Sequence, residues 1–185
     1  MRLQYESERL RIECLTSEYA PYICEFYKEN APYFDKYELT RPNNFYTPEF
    51  HTAMSDWEWK EMQAFRCLRY YLLSKQNPGI IIGTVNVSNI RMGGLKKASI
   101  GYKIDHRYWN RGYATEACNV VLNIVFQEYG LHRLEAEILP SNTPSVHVIE
   151  KLGFTYEGIE HEAAEVNGKW EDLLLYAKLN PYRKS

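Results

Sequence analysis

The chain has 185 residues, a formal charge of −2, and 45% hydrophobic and 25% charged residues, the balance of one soluble globular domain with a single core. So small a net charge offers no global attraction to a phosphate backbone, which argues against a nucleic-acid partner. No run approaches the ~18 apolar residues of a membrane span, and Arg2, Glu6, Glu8, Arg9, Arg11 and Glu13 interrupt any apolar leader. We therefore expect residues 1–185 to form one cytoplasmic domain with no membrane partner, monomeric or homodimeric. Cys14, Cys24, Cys67 and Cys118 lie far apart with no C-x-x-C spacing, the pattern of reduced thiols rather than of a zinc site or a disulfide framework.

Residues 10–15 alternate as a strand. Ser17 offers an N-cap for a helix to about Glu29, with Tyr19, Tyr22, Ile23, Phe26 and Tyr27 at helical spacing and Asn30 and Pro32 ending it. Pro32, Arg41-Pro42 and Asn43-Asn44 make residues 31–47 a long irregular loop, the kind that carries function in compact domains. Thr47-Pro48-Glu49 caps a second helix to about Ala64. Residues 66–73 and 80–88, rich in Val, Ile and Tyr, read as a hairpin turned at 75–79, and a turn at Gly93-Gly94 leads into a strand over 97–105 with Ala98, Ile100, Tyr102 and Ile104 on one face. A helix is predicted over 112–129, with Ala117, Val121, Ile124 and Val125 on its apolar stripe and Gly130 past its end. A strand over 132–139, a short helix over 142–152 and a hairpin of 154–166 with 169–179, turned at Asn167-Gly168, complete an α/β sheet.

The stretch Trp109-Asn110-Arg111-Gly112-Tyr113-Ala114-Thr115-Glu116-Ala117 places a short loop after a strand and opens a helix at small residues. Such a loop aims unpaired N–H groups and the positive end of the helix dipole at one point, where a pyrophosphate fits. Taken alone it is equally an ordinary strand–helix turn whose glycine supplies backbone freedom. Thirty residues on come Asn142-Thr143-Pro144-Ser145 and then Glu150-Lys151-Leu152-Gly153-Phe154. Together the two segments resemble the GNAT superfamily of N-acetyltransferases over roughly residues 8–180. The end of the chain, from Glu157-Gly158 through Val166-Asn167-Gly168-Lys169-Trp170-Glu171-Asp172, is most similar to the ribosomal-protein-alanine (RimJ/RimL-like) group.

That resemblance implies a mixed, mostly antiparallel twisted sheet flanked by about four helices, with a central strand pair splayed into an acetyl-CoA cleft. It implies that the loop of Arg111, Gly112, Tyr113, Ala114 and Thr115 cradles the CoA pyrophosphate. Asn142 then touches the pantetheine arm, and the strand of Ile100, Tyr102 and Ile104 hydrogen-bonds it through its backbone. Trp109 stands where many relatives have Gln or Arg, and Ile149 where many have a tyrosine general acid, so a tyrosine mechanism is not carried over. Aminolysis of a thioester still needs a deprotonated amine and a stabilised thiolate. Glu137, five residues before Asn142, is the candidate base, unless it is a solvated strand carboxylate. Ser145 matches a serine near the CoA sulfur and is the candidate proton donor, unless it only caps the following helix. The expected acceptor is a primary amine, foremost a protein N-terminus. The alternatives are a small amine (polyamine, amino acid or antibiotic) and a non-catalytic acyl-CoA-binding regulator.

Other signals carry less. His161-Glu162-Ala163-Ala164-Glu165 lacks the second histidine of H-E-x-x-H and alternates like a strand, so no metal is expected. His106 and His132 read as surface or capping residues. No G-x-x-x-x-G-K-[ST] or G-x-S-x-G occurs, which removes the P-loop and hydrolase classes. Tyr33, Phe34, Tyr37, Phe45 and Tyr46 fall in the long loop, either as core or as the wall of an acceptor groove.

Overall fold

The computed structural model describes residues 2–182. In chain order these form β1 (Gln4–Glu6), β2 (Leu10–Glu13), α1 (Ala20–Phe34), α2 (Pro48–Gln63), β3 (Leu68–Ser74) and β4 (Asn77–Arg91), followed by β5 (Lys97–Ile104), α3 (Tyr113–Asn123), β6 (Arg133–Ile138), α4 (Thr143–Lys151), β7 (Thr155–Val166) and β8 (Lys169–Leu179). Among the described residues the strands make one open sheet in the order β1-β2-β3-β4-β5-β6-β8-β7, with β5 and β6 as the only parallel neighbours. This is the mixed, mostly antiparallel α/β sheet with four helices that the resemblance implies.

The period of two along β3 sends neighbouring tyrosines to opposite faces. Tyr70 joins the main core, where Ile12, Leu72, Val85, Val87, Ala98 and Ile100 pack beneath Ala117, Val121, Ile149 and Leu152 of α3 and α4. Tyr71 joins a second cluster with Ile23, Phe26, Tyr27 and Phe34 of α1. The first face therefore carries α3 and α4, and the second carries α1 and α2. On the second face α2 buries polar groups: Glu58 meets Arg69 of β3 at 2.8 Å, and His51 stacks on Tyr27 at 5.2 Å between ring centroids.

Several boundaries differ from expectation. The chain from Ser17 enters α1 through a short 3-10 turn, and neither Asn30 nor Pro32 ends it. Asn30, fully buried, instead donates from Nδ2 to the Phe26 carbonyl at 2.9 Å, and Pro32 removes only one helical donor while Phe34 is held against Phe26. The β3–β4 turn is tighter than predicted, since Ser74 already faces Asn77. Register shifts beside Leu73 absorb Pro78, as irregular pairing does where proline cannot donate. The helix predicted over 112–129 keeps α-helical bonding to Asn123 and finishes as a π-turn over Ile124–Glu128. β1, only three residues long, has no pattern from which to predict it. Thr47 caps α2 as expected, its Oγ1 accepting from the Phe50 N–H at 3.2 Å, and all four cysteines are free thiols.

Candidate active site

The sheet opens at its one parallel junction. β5 pairs with β6 only at Lys97, Ala98 and Ser99, opposite Arg133, Leu134 and Glu135. Beyond Ser99 each strand keeps only its outer partner, β5 pairing with β4 to Ile104 and β6 with β8 to Ile138. Two strands that begin as neighbours and end with different partners leave one edge of β5 without a ladder. A cleft of about 640 Å³ lies at the end of this splay, within the range of small-molecule sites.

Helix N-termini supply its polar end. Gly112, at φ 78° and ψ 4°, turns the chain in the left-handed region and hands it to α3, whose first-turn N–H groups at Tyr113, Ala114 and Thr115 lack intrahelical acceptors. The loop before it is tightly anchored. Burial alone would raise the Asp105 carboxyl, but the Arg107 backbone N–H (2.9 Å) and its guanidinium outweigh that and hold the pKa below its ordinary value. Asn30 Oδ1 accepts from the His106 N–H at 3.0 Å, and the Trp109 indole N–H donates to the Ile104 carbonyl at 2.7 Å. Opposite, α4 is capped by Asn142, whose Oδ1 accepts from the Ser145 N–H at 3.3 Å.

Of the residues singled out by sequence, Tyr102, Ile104, Gly112, Tyr113, Ala114, Thr115, Asn142 and Ser145 line this one cleft. Ile100 is 5% exposed and belongs to the core beneath it. Arg111 contributes its backbone to the loop, while its guanidinium lies 5.7 Å from the Tyr108 ring. Ser145 does not cap α4, since Asn142 does. The Ser145 hydroxyl lies 2.8 Å from the Tyr102 hydroxyl, which is also 2.9 Å from the Ser145 carbonyl. This contact spans the splay from β5 to α4. A tyrosine within the apolar row of β5 was the sequence signal for it.

Glu137 stands apart from the cleft lining. It points to the face opposite Ala136 and Ile138, and Ser99 Oγ donates to it at 3.2 Å. Partial desolvation raises its carboxyl pKa above the ordinary value, with Glu160 and Glu135 adding to the shift and the Ser99 bond opposing it. The predicted aromatic wall divides in two. Tyr33, Phe34 and Tyr37 line the cleft, Phe34 as a member of the second core cluster and Tyr33 packed against it, whereas Phe45 and Tyr46 pack on that cluster without lining the cleft. Arg41 organises that half, its guanidinium 4.1 Å from the Phe45 centroid and 2.7 Å from Asp35. The segment then crosses to the far edge of the sheet. Tyr37 packs with Leu139, Ala164, Val166 and Leu173, and the Thr40 N–H donates to the Glu165 carbonyl at 3.1 Å.

The family model of the acetyltransferase (GNAT) domain matches residues 9–155, most of the chain and all of the cleft. The chain belongs to the GNAT acetyltransferases. A probable N-acetyltransferase of Bacillus subtilis, YjcK, is 35% identical over 83% of this chain and 84% of its own length. Among solved structures, the ribosomal-protein-S5-alanine acetyltransferase of Vibrio fischeri superposes with a TM-score of 0.92 at 28% identity over the whole of both chains. RimJ of Mycobacterium smegmatis, in complex with CoA-disulfide, does so at 0.86 and 25% identity over 92% of this chain and 81% of its own. In a GNAT acetyltransferase the splayed strands and the α3 loop of this chain have a common purpose, and the protein is an enzyme of the N-acetyltransferase class. No described helix is long and apolar enough to cross a membrane.

Proposed function

We propose that this acetyltransferase moves the acetyl group of acetyl-CoA to the N-terminal α-amine of a protein by direct attack within a ternary complex. The observation that carries the reading is the convergence of the α3 and α4 N-termini on one cleft at the β5–β6 splay. The N–H groups of residues 113–115 receive the pyrophosphate, and the pantetheine arm runs beside the unpaired edge of β5 toward Ser145. The likeness to ribosomal-protein-alanine acetyltransferases supports a protein amine as acceptor.

In the step itself the amine nitrogen bonds to the thioester carbon, the C–S bond breaks, and the sulfur leaves with the electron pair. Glu137, directly or through one water, takes the proton that the amine sheds. Its raised pKa brings it closer to neutrality, which suits a general base. The Tyr102 hydroxyl donates to the Ser145 carbonyl and lies 2.8 Å from Ser145 Oγ, which holds the serine at the splay; the Ser145 hydroxyl, turned toward the departing thiolate, stabilises it. The grouping of Glu137 with Glu135 and Glu160 favours a second reading, a polycationic small amine as acceptor. A thiol-release screen over an Ala-initiated peptide, amino acids, aminoglycosides and spermidine tests the function. Turnover led by the peptide supports the first reading, turnover led by spermidine the second, and tight acetyl-CoA binding without any turnover refutes both.

A further inference from the structure

The β1–β2 turn, some hundred residues before the phosphate loop, reaches across and grips it. Arg9 donates from Nη1 to the Arg111 carbonyl at 2.8 Å, the residue immediately before the left-handed Gly112. Its Nε and Nη2 both meet Glu116 Oε2 at 2.6 Å, and its backbone N–H donates to Glu116 Oε1 at 2.9 Å. The flat guanidinium also lies 4.3 Å from the Tyr113 ring centroid. Ser7 Oγ adds a bond to Glu116 Oε1 at 2.6 Å. Burial alone would raise the Glu116 carboxyl, but these donors together hold its pKa below the ordinary value, so it remains the charged anchor of the set.

One arginine thus fixes three consecutive parts of the loop: the carbonyl before Gly112, the ring at the first position of α3, and the carboxylate one turn in. A planar fork is suited to this, because its N–H directions are set by covalent geometry where an ammonium's are not. We infer that Arg9 is a positioning residue for the pyrophosphate of acetyl-CoA. It holds the loop with its N–H groups aimed at the phosphates, and acts on them through the loop rather than by contact. The inference rests on residues 111–115 being the pyrophosphate site. It makes the N-terminal hairpin part of the donor site, although no residue of that hairpin lines the cleft.

The test compares two acetyl donors, acetyl-CoA and S-acetylpantetheine, which carries the same thioester without the pyrophosphate. Donor kcat/KM values are measured with an Ala-initiated peptide, and acetyl-CoA affinity by calorimetry, which needs no acceptor. In Arg9→Gln the ratio of kcat/KM for acetyl-CoA to that for S-acetylpantetheine falls roughly tenfold and the acetyl-CoA Kd rises by as much, the scale of a small misplacement of binding groups. Arg9→Lys, which keeps the charge and loses the fork, recovers only part of this. Equal loss with both donors would mean a general structural role, and full recovery by lysine would mean direct attraction to phosphate; either overturns the inference. Gly112→Val separates the inference from its premise. If Gly112→Val weakens acetyl-CoA binding and Arg9→Gln does not, Arg9 alone is discarded. If neither does, the pyrophosphate site itself is misassigned.

Discussion

Replacing Gly112 with valine separates the cost of folding the phosphate loop from the cost of losing its ligand. A Cβ at Gly112 meets only Arg9 Nη2, at 3.5 Å, an ordinary contact. The folding penalty therefore comes from the backbone: φ is 78°, and the left-handed region costs an L-residue roughly 1–2 kcal/mol. In a domain of this size, each kcal/mol lowers the melting temperature by about 2–4 °C, so valine should lower it by about 2–8 °C. The binding penalty is separate. If the loop cannot hold its left-handed turn, the first-turn N–H groups of α3 are re-aimed. Losing even one hydrogen bond to a charged phosphate, at roughly 1.5–3 kcal/mol, weakens acetyl-CoA about tenfold or more. Gly153, at φ 79° with Lys178 Nζ at 3.2 Å from its would-be Cβ, provides a matched control outside the cleft. Calorimetry with acetyl-CoA, alongside thermal melts of Gly112→Val and Gly153→Val, should show similar losses of stability and a loss of affinity in the first alone. A folded Gly112→Val protein that binds acetyl-CoA as tightly as the parent would refute the phosphate-loop assignment.

Ser145→Ala should slow turnover at saturating acetyl-CoA with little change in affinity, because the thiolate it stabilises forms only late in the reaction; stopped-flow thiol release with parallel calorimetry checks this. For Glu137 the sign follows from its raised pKa. A base works deprotonated, so kcat/KM should fall as pH drops through a value above that of an ordinary carboxylate, and Glu137→Gln should lower activity and abolish that limb of the pH profile. Asn30→Ala should cost about 1–3 kcal/mol in urea unfolding, since it removes the acceptor of the His106 N–H and the donor to Phe26.

What the sequence made legible is what local periodicity and turn chemistry encode. The Asn167-Gly168 hairpin, with both residues at positive φ, the Gly112 turn into α3 and the Thr47-Pro48 cap each carry their signal within four residues. The splay was legible only through the resemblance, because no residue of β5 or β6 marks where one strand leaves its neighbour. The course of α1 past Pro32 was misread because the local stop signal was outweighed by long-range packing of Phe34 on Phe26 and Tyr27. The Tyr102–Ser145 bond joins residues 43 apart, and the Arg9–Glu116 pair joins residues 107 apart. Charge or polarity flags each partner singly, but only the fold brings them together. The long aromatic loop shows the same limit: composition marked it as notable, yet only the fold shows that Tyr33, Phe34 and Tyr37 reach the cleft while Phe45 and Tyr46 gather at Arg41.

The central claim is that the acceptor is an α-amine, and competition at pH 7 tests it most directly. An α-amino group titrating near 7.7–8.0 is roughly 10–20% neutral at that pH, whereas a lysine near 10.4 is neutral only about 0.04% of the time, an advantage of ~3 kcal/mol before any contact is made. With Ile149 fully buried in α4, and with a single strand carboxylate as the proposed base, the proposed site suits an acceptor that sheds its proton easily. An Ala-initiated peptide is mixed with spermidine and with the same peptide carrying a blocked N-terminus and one internal lysine, and the acetylated products are counted by mass spectrometry. The account predicts that the free N-terminus is acetylated well ahead of both competitors. Equal acetylation of the blocked peptide, or faster acetylation of spermidine, would contradict it.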